Sequence, residues 1–183
     1  MNAADFNRLY EDIVIKKLQE QGYATKGQSL FFQKETTVAA LLRSTFRGEQ
    51  GSDIVFCIRH AFLREHLKLT NGSYPMDAID YPFRFSIKSF KQEDLFKVTY
   101  TPINYLRPRS QIPYESIYYG DTAVEDSKGL TNQLNEIADN VVKFGPLIMN
   151  ILSPKKAFDC IARNNKDAWI EKIWLEDYSN KLT

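Results

Sequence analysis

The sequence predicts an α+β domain in which an antiparallel β-meander sheet is packed by an N-terminal helix and a C-terminal group of helices. Three observations lead to this prediction. One amphipathic helix pattern comes first, long alternating apolar runs between Ser29 and Arg64 follow it, and the last third of the chain returns to helical spacing. Strands this long and this apolar need a covering layer, so they determine where a binding surface can lie.

The first element is a helix from Phe6 to Leu18. Its apolar residues recur every three or four positions, so they form one stripe that faces a core: Phe6, Leu9, Tyr10, Ile13, Val14 and Leu18. Asn2 or Asp5 can cap the start of this helix, and Gly22 ends it. We expect residues 23–28 to form the loop into the first strand.

Three strands are predicted next, from Ser29 to Glu35, from Thr37 to Arg47 and from Asp53 to Leu63. Since they follow one another closely, they form a β-meander. The second strand has one drier face, whereas the third is apolar on both faces. We therefore expect the third strand to lie at the centre of the sheet.

The segment 74–119 has a different character, because five of the seven prolines lie in it among many aromatic residues. Strands are predicted from Phe83 to Phe90, from Leu95 to Thr101 and, as a short edge strand, from Ser116 to Tyr119. Prolines interrupt any ladder after Pro102, so residues 103–114 are expected to form an irregular loop that packs by its own aromatic side chains.

The last third of the chain is predicted to be helical. A helical stripe begins at Leu130, and the pair Gly145-Pro146 marks a break or kink in it. Ser153 as N-cap and Pro154 at the first helical position start a further helix. A final helix carries Trp169 and the apolar residues that follow it.

A single domain, residues 1–183, is expected, because a chain of this length fits one core. We expect the helices to cover one face of the sheet. The other face can be covered by the segment 74–119, by a partner or by nothing. We favour the first, in which 74–119 is an aromatic, proline-rich insertion or lid with a tyrosine-lined cleft at its edge.

The composition is that of a folded protein, with 43% hydrophobic and 26% charged residues. The formal net charge of +1 gives no field that would hold nucleic acid or an anionic membrane.

Cys57 and Cys160 are expected to be reduced, buried thiols. The N-terminal residues do not resemble a signal peptide, and no apolar run approaches the length of a membrane span, so we expect a cytoplasmic location.

Several short segments follow the first helix in a characteristic order: Gly22-Tyr23, Leu30-Phe31-Phe32, Leu41-Leu42-Arg43-Ser44 and Asp53-Ile54-Val55-Phe56. The C-terminal run from Ala138 to Ile161, with its two X-Pro pairs, completes the pattern. This order resembles the bacterial family catalogued as domain of unknown function 4304, over most of the chain outside 74–119. The resemblance implies an α+β fold, a bacterial source and an unassigned role, and it transfers no functional residue.

The sequence contains no known catalytic motif: it has no G-x-S-x-G elbow, no phosphate-binding loop, no H-E-x-x-H and no G-x-G-x-x-G. His60 and His66 are the only histidines. On one strand they would lie roughly 20 Å apart, which is too far to share a metal. We therefore predict no catalytic residue, no metal site and no cofactor, and a structural role for His60.

Arginines give the sharpest binding hypothesis. Arginines on the second and third strands can gather on one sheet face, and a loop with arginines and tyrosines can fold over it. Guanidinium groups beside aromatic rings bind carboxylates or phosphates. The alternative is that these arginines pair with acidic side chains or lie over apolar surface. The candidate ligand-binding residues are Arg43, Arg47, Arg59, Tyr105, Arg107, Arg109 and Tyr114.

Three functions are compatible with these patterns. The first is a non-enzymatic, cytoplasmic bacterial binding domain for a protein partner, in an immunity or accessory role. The second is an enzyme or a binding protein for a small anionic ligand held in an arginine and tyrosine cleft. The third, binding of single-stranded nucleic acid, is disfavoured by the balanced charge.

Overall fold

A computed structural model describes residues 1–45, 50–66 and 74–183, with only the backbone at position 125. The chain begins with three consecutive helical segments: α1 (Ala3–Tyr10), a π-helical segment (Glu11–Ile15) and α2 (Lys16–Glu20). Asn2 caps the start, because its side chain accepts a hydrogen bond of 2.9 Å from the backbone N–H of Asp5. The helix ends before Gly22, whose φ of 87° is the left-handed conformation that glycine adopts most easily.

One antiparallel sheet of six strands follows. The strands are β1 (Ala24–Lys26), β2 (Ser29–Lys34), β3 (Thr37–Thr45), β4 (Gly51–His60), β5 (Phe83–Phe85) and β6 (Glu115–Tyr118). The order is β1-β2-β3-β4-β5, and β6 also pairs with β4. β5 pairs with Phe56–Ile58, whereas β6 pairs with Gly51–Ile54, so both lie along the same side of β4. β4 is buried along its whole length and is paired on both sides, as its apolar faces predict, although it lies next to the edge of the sheet and not at its centre.

Three helices complete the chain: α3 (Lys128–Ile151), α4 (Pro154–Asn164) and α5 (Trp169–Leu182). The Ser153 side chain caps α4, as predicted, by accepting a hydrogen bond from the backbone N–H of Lys156. Of the predicted break or kink at Gly145-Pro146, the break is wrong, because α3 continues through Pro146; the kink stays a prediction. The antiparallel sheet with its N-terminal and C-terminal helices confirms the predicted α+β class.

Several predicted strand boundaries differ from the structure. Residues 23–28 were expected to form a loop, but β1 lies within them and pairs with β2. The strand predicted from Phe83 ends at Phe85, and the strand predicted from Leu95 to Thr101 is wrong. A 3-10 helix, Gln92–Lys97, lies there because the Asp94 carboxylate accepts a hydrogen bond from the Lys91 backbone N–H and fixes a local turn.

The two faces of the sheet pack against different material. Leu41 and Phe56 belong to the main core, which the helices close, whereas Leu42 and Cys57 belong to a second core on the opposite face. Side chains from 74–119, among them Ala78, Tyr81 and Ile112, complete the second core. The interpretation of 74–119 as a lid within a single domain stays a prediction.

Among the described residues, no helix has the length and apolar character that crossing a bilayer requires.

Candidate functional site

Two arginines of the predicted cluster, Arg43 and Arg59, lie apart. Arg43 shares the helix-packed face of β3 with Leu41, because side chains two apart on a strand point the same way. Arg59 shares the opposite face of β4 with Cys57. The hypothesis that these two arginines gather on one sheet face is therefore wrong. Single-sequence reasoning places residues on alternating faces, but it does not say which faces of neighbouring strands coincide.

The remaining predicted arginines have different surroundings. Arg47 lies outside the described residues. Arg107 is exposed. Arg109 donates a hydrogen bond of 3.0 Å from Nη2 to the buried carboxylate of Asp53, which also accepts one of 2.6 Å from the Ser116 hydroxyl. Arg109 thus connects the loop before β6 to the start of β4.

Arg59 is fully buried and is held by the backbone. Its Nε donates to the carbonyl of His60 at 3.3 Å, its Nη1 to the carbonyl of Asp80 at 3.1 Å, and its Nη2 to the carbonyl of Leu63. Its Cζ lies 5.8 Å from the centre of the Tyr81 ring. Burial lowers the pKa of Arg59, and the nearby Tyr81 and Asp80 oppose that shift. These contacts make Arg59 a structural tie between β4 and the segments that follow it.

The neighbourhood of Arg59 contains further buried polar groups. Asp80 is only 4% exposed, and its Oδ1 accepts a hydrogen bond of 2.6 Å from the backbone N–H of His66. Nδ1 of His66 lies 2.9 Å from the same oxygen. Glu65 is buried nearby and contributes to the electrostatic environment of Arg59. The carboxylates thus balance the buried guanidinium charge.

Arg43 has a different environment, because its partners are all neutral. Its Nε donates to the Ser52 hydroxyl at 3.1 Å, and its Nη2 donates to Oδ1 of Asn7 at 2.8 Å. Its Cζ lies 4.9 Å from the ring centre of Phe6 and 4.5 Å from that of Tyr10. Burial lowers the pKa of Arg43. No carboxylate among the described residues pairs with this cation.

Tyr114 and Arg109 line one cavity of about 510 Å³ between the second sheet face and residues 76–79. Tyr114 packs against the second core, and burial raises its pKa to about 12, so it stays protonated at neutral pH. Arg43 of β3 lines the same cavity, so the structure brings three of the predicted site residues together here.

Tyr105 lies elsewhere, in what we call the Trp169 groove. This groove has a volume of about 640 Å³ and lies between the loop after Pro102 and the start of α5. Burial raises the pKa of Tyr105 to about 12. Leu106 is 91% exposed and Trp169 is 47% exposed, so large apolar side chains face solvent at this groove. The residues that line it are Pro102, Ile103, Asn104, Tyr105, Leu106, Gln111, Lys166, Ala168 and Trp169.

Sequence reasoning missed the Trp169 groove. Trp169 was assigned to the apolar stripe of the last helix, but it is the first residue of α5 and lies partly outside the core. Leu106 is an apolar residue between polar neighbours in a loop bounded by prolines. This position was the signal from which the sequence could have predicted an exposed apolar side chain. A pairing of the loop with α5 could not be read from the sequence, because the two segments are distant in the chain.

Among the described residues, no three His, Cys, Asp or Glu side chains are grouped so that they could hold a metal ion. Comparison with known proteins gives no match to a protein-family model, to a curated protein or to a solved structure. The resemblance to domain of unknown function 4304 therefore stays a prediction that rests on its own residues.

Proposed function

We propose that this chain is a binding domain for a protein partner and that the Trp169 groove is its contact surface. The observation that carries the proposal is the pairing of Leu106, 91% exposed, with Trp169, 47% exposed, on one concave surface. Large apolar side chains that share an exposed surface are typical of interaction sites. Tryptophan in particular contributes much of the binding free energy at such sites.

The charges beside the groove define the chemistry of the partner. Lys166 lines the groove and is exposed, and Arg107 is exposed next to Leu106 in the chain. Asp167, which follows Lys166, does not line the groove. A partner segment that suits this surface has an apolar anchor flanked by carboxylates.

The wider role that we propose is an accessory or immunity function in the cytoplasm of a bacterium, within the family catalogued as domain of unknown function 4304. The segment order described above supports the family. Cys57 and Cys160 are both buried and unbonded, which suits a reducing compartment. In this role the domain acts by binding, without a reaction of its own.

The competing hypothesis, one anionic-ligand cleft built by all the predicted arginines and tyrosines, has less support. Arg43 and Arg59 lie on opposite faces of the sheet. Tyr105 lies at the Trp169 groove, whereas Tyr114 lies at a separate cavity with Arg43 and Arg109. A single ligand does not reach both sets.

Selection from a phage-displayed random peptide library tests the proposal. We expect enriched peptides to carry an apolar or aromatic residue flanked by Asp or Glu. Binding of a selected peptide should shift the indole N–H signal of Trp169 in the NMR spectrum. Trp169→Ala should weaken the affinity for the selected peptide at least about tenfold, the usual effect of truncating a central tryptophan.

Val124 provides a matched control, because it is 55% exposed and does not line the groove. Val124→Asp should leave peptide affinity unchanged, whereas Leu106→Asp should abolish it. Peptides that bind Trp169→Ala and Leu106→Asp as tightly as the unmodified chain would show that the groove is not the contact surface.

A further inference from the structure

A second site is indicated beneath the N-terminal helix, where Arg43 lines a cavity of about 300 Å³. This Arg43 cavity lies between the helix residues Asn7 to Gln19 and the turn between β1 and β2. It is separate from the Trp169 groove, since the two share no lining residue. Its volume is at the lower end of the range that small-molecule sites occupy.

Two residues that line this cavity, Arg43 and Tyr10, each carry a hydrogen-bond donor without a partner among the residues that the structure describes. Nη1 of Arg43 and the hydroxyl of Tyr10 are both shielded from solvent, and neither makes a hydrogen bond. Arg43 is only 8% exposed and Tyr10 is fully buried. Leaving buried donors unpaired destabilises a protein, and a buried cation without a counter-charge does so more strongly. The two unpaired groups therefore call for an acceptor that carries negative charge.

Tyr10 is suited to donate rather than to ionise. Burial raises its pKa far above the physiological range, although the charge of Arg43 opposes that shift. The hydroxyl therefore keeps its proton at neutral pH and can give it only in a hydrogen bond. The position of its ring is fixed, because Cζ of Arg43 lies 4.5 Å from the ring centre.

The backbone next to Tyr10 is unusual as well. The π-helical segment Glu11–Ile15 begins directly after Tyr10, and both Glu11 and Ile15 line the cavity. π-helical turns inside α-helices are rare and are frequent at functional sites. Here the turn changes the angular spacing of the side chains that border the cavity.

We propose that the Arg43 cavity binds a small carboxylate, with one oxygen accepting from Nη1 of Arg43 and the other from the Tyr10 hydroxyl. Two unpaired donors match the two oxygens of a carboxylate. A phosphate brings more charge and more acceptors than these two donors satisfy. Its extra charge would also face Glu11, the exposed carboxylate that lines the cavity.

Glu11 further defines the ligand. An ammonium group on the same small molecule would lie in the field of Glu11 while its carboxylate binds Arg43. Polar groups of Gln19, Thr25 and Gln28 also line the cavity and can accept or donate hydrogen bonds. A carboxylate that carries an amino group is therefore preferred over a plain one.

NMR titration of the full chain with sodium acetate, glycine and sodium phosphate, at constant pH and ionic strength, tests the proposal. We expect acetate and glycine to shift the Arg43 Nε–H signal, glycine at the lower concentration, and phosphate to leave it unchanged. The proposal is overturned if neither carboxylate shifts that signal or if phosphate binds as tightly as they do.

Tyr10→Phe provides the sharper variant, since it removes the hydroxyl and keeps the ring beside Arg43. It should weaken acetate and glycine binding about tenfold, which is the usual effect of losing a hydrogen bond to a charged group. The backbone amide NMR spectrum of Tyr10→Phe shows whether the fold is kept. Unchanged affinity in Tyr10→Phe contradicts the proposed contact.

Two controls separate this site from other effects. Arg8→Gln removes an arginine from the same helix whose side chain is 75% exposed. Tyr105→Phe removes a hydroxyl at the Trp169 groove, which shares no lining residue with the Arg43 cavity. Both variants should bind acetate and glycine as the unmodified chain does. A loss in either one would attribute the effect to general charge or stability and would overturn the site.

Discussion

The hydroxyl of Tyr100 donates a hydrogen bond of 2.5 Å to Oε1 of Glu171, a carboxylate that has no exposed surface. The second oxygen of Glu171 accepts from the backbone N–H groups of Lys166 at 2.8 Å and Ala168 at 3.0 Å. Both oxygens of this buried carboxylate thus have hydrogen-bond donors near the start of α5. This pair ties the loop after β5 to the last helix and positions both walls of the Trp169 groove.

Replacing Tyr100 by Phe should therefore lower the free energy of unfolding by about 1.5 to 3 kcal/mol, because a buried carboxylate loses a hydrogen bond. Urea denaturation measures the change. Tyr118→Phe is the matched control, since the Tyr118 side chain is 63% exposed, and it should change stability by less than about 0.5 kcal/mol. Equal stability of the Tyr100 variant and the unmodified chain would contradict this assignment.

Arg59→Ala should destabilise the fold strongly. The substitution leaves the carbonyls of His60, Leu63 and Asp80 without their shared donor, and it leaves nearby buried carboxylates without a cation. Breaking such a buried arrangement costs about 3 to 5 kcal/mol. Urea denaturation again measures it, and a loss below about 1 kcal/mol would show that these contacts contribute little. Arg107→Ala, an exposed position, is the control and should have little effect.

His60 should make stability depend on pH. It is fully buried, its Nδ1 lies 2.7 Å from the Tyr178 hydroxyl, and burial lowers its pKa from 6.5 to about 4. Between these two pH values the unfolded chain binds a proton that the folded chain does not. The free energy of unfolding therefore falls as the pH drops through this window, by on the order of 3 kcal/mol in full.

Urea denaturation at several pH values from 7 to about 4 tests the role of His60, with His60→Gln as the variant that cannot titrate. The variant should lose stability less steeply than the unmodified chain as the pH falls. His66→Gln, which keeps His60, should retain the steeper dependence. Identical pH dependence in the unmodified chain and His60→Gln would refute the assignment.

Two glycines of α3 should respond oppositely to substitution. A Cβ at Gly145 would lie 3.3 Å from Cζ of Phe56 and 3.3 Å from the hydroxyl of Tyr23, whereas nothing lies within 4 Å of a Cβ at Gly129. Gly145→Val should lower the free energy of unfolding by about 1 to 3 kcal/mol through overpacking.

Gly129→Ala should raise the free energy of unfolding by about 0.5 to 1 kcal/mol, because alanine favours the helix. Thermal denaturation compares both variants with the unmodified chain. An increase in Tm for Gly145→Val would show that α3 does not approach β4 as closely as the contact with Phe56 implies.

The strand and helix periodicities predicted most of the fold. The alternation in β3 and β4 and the Ser153-Pro154 start of α4 are local signals, and the structure follows them. The strand predicted from Leu95 to Thr101 is absent, although its aromatic and β-branched residues resemble a strand. The carboxylate of Asp94 instead fixes a 3-10 helix, Gln92–Lys97, that overlaps the start of this segment. At Pro146 the sequence predicted an interruption, but the helix continues. Tertiary packing of α3 outweighs the hydrogen bond that proline cannot make.

The candidate sites were harder to predict than the fold. Arg43 was among the predicted site residues, but its partners Tyr10 and Asn7 come from a helix that the pattern assigned only to the core. The Trp169 groove depends on a contact between a loop and a helix that lie far apart in the chain. Periodicity reports which face a residue occupies, and it carries no information on which distant segment packs there.

The lateral ends of the sheet limit how this protein can associate. On one side the outermost strand is β1, three residues long and ending in Lys26; on the other side β5 and β6 span three and four residues. Recruitment of a partner by strand addition needs a longer run of unpaired backbone groups than any of these strands offers. In the part of the sheet that the structure describes, recognition of a partner then depends on side chains more than on backbone pairing at the edges.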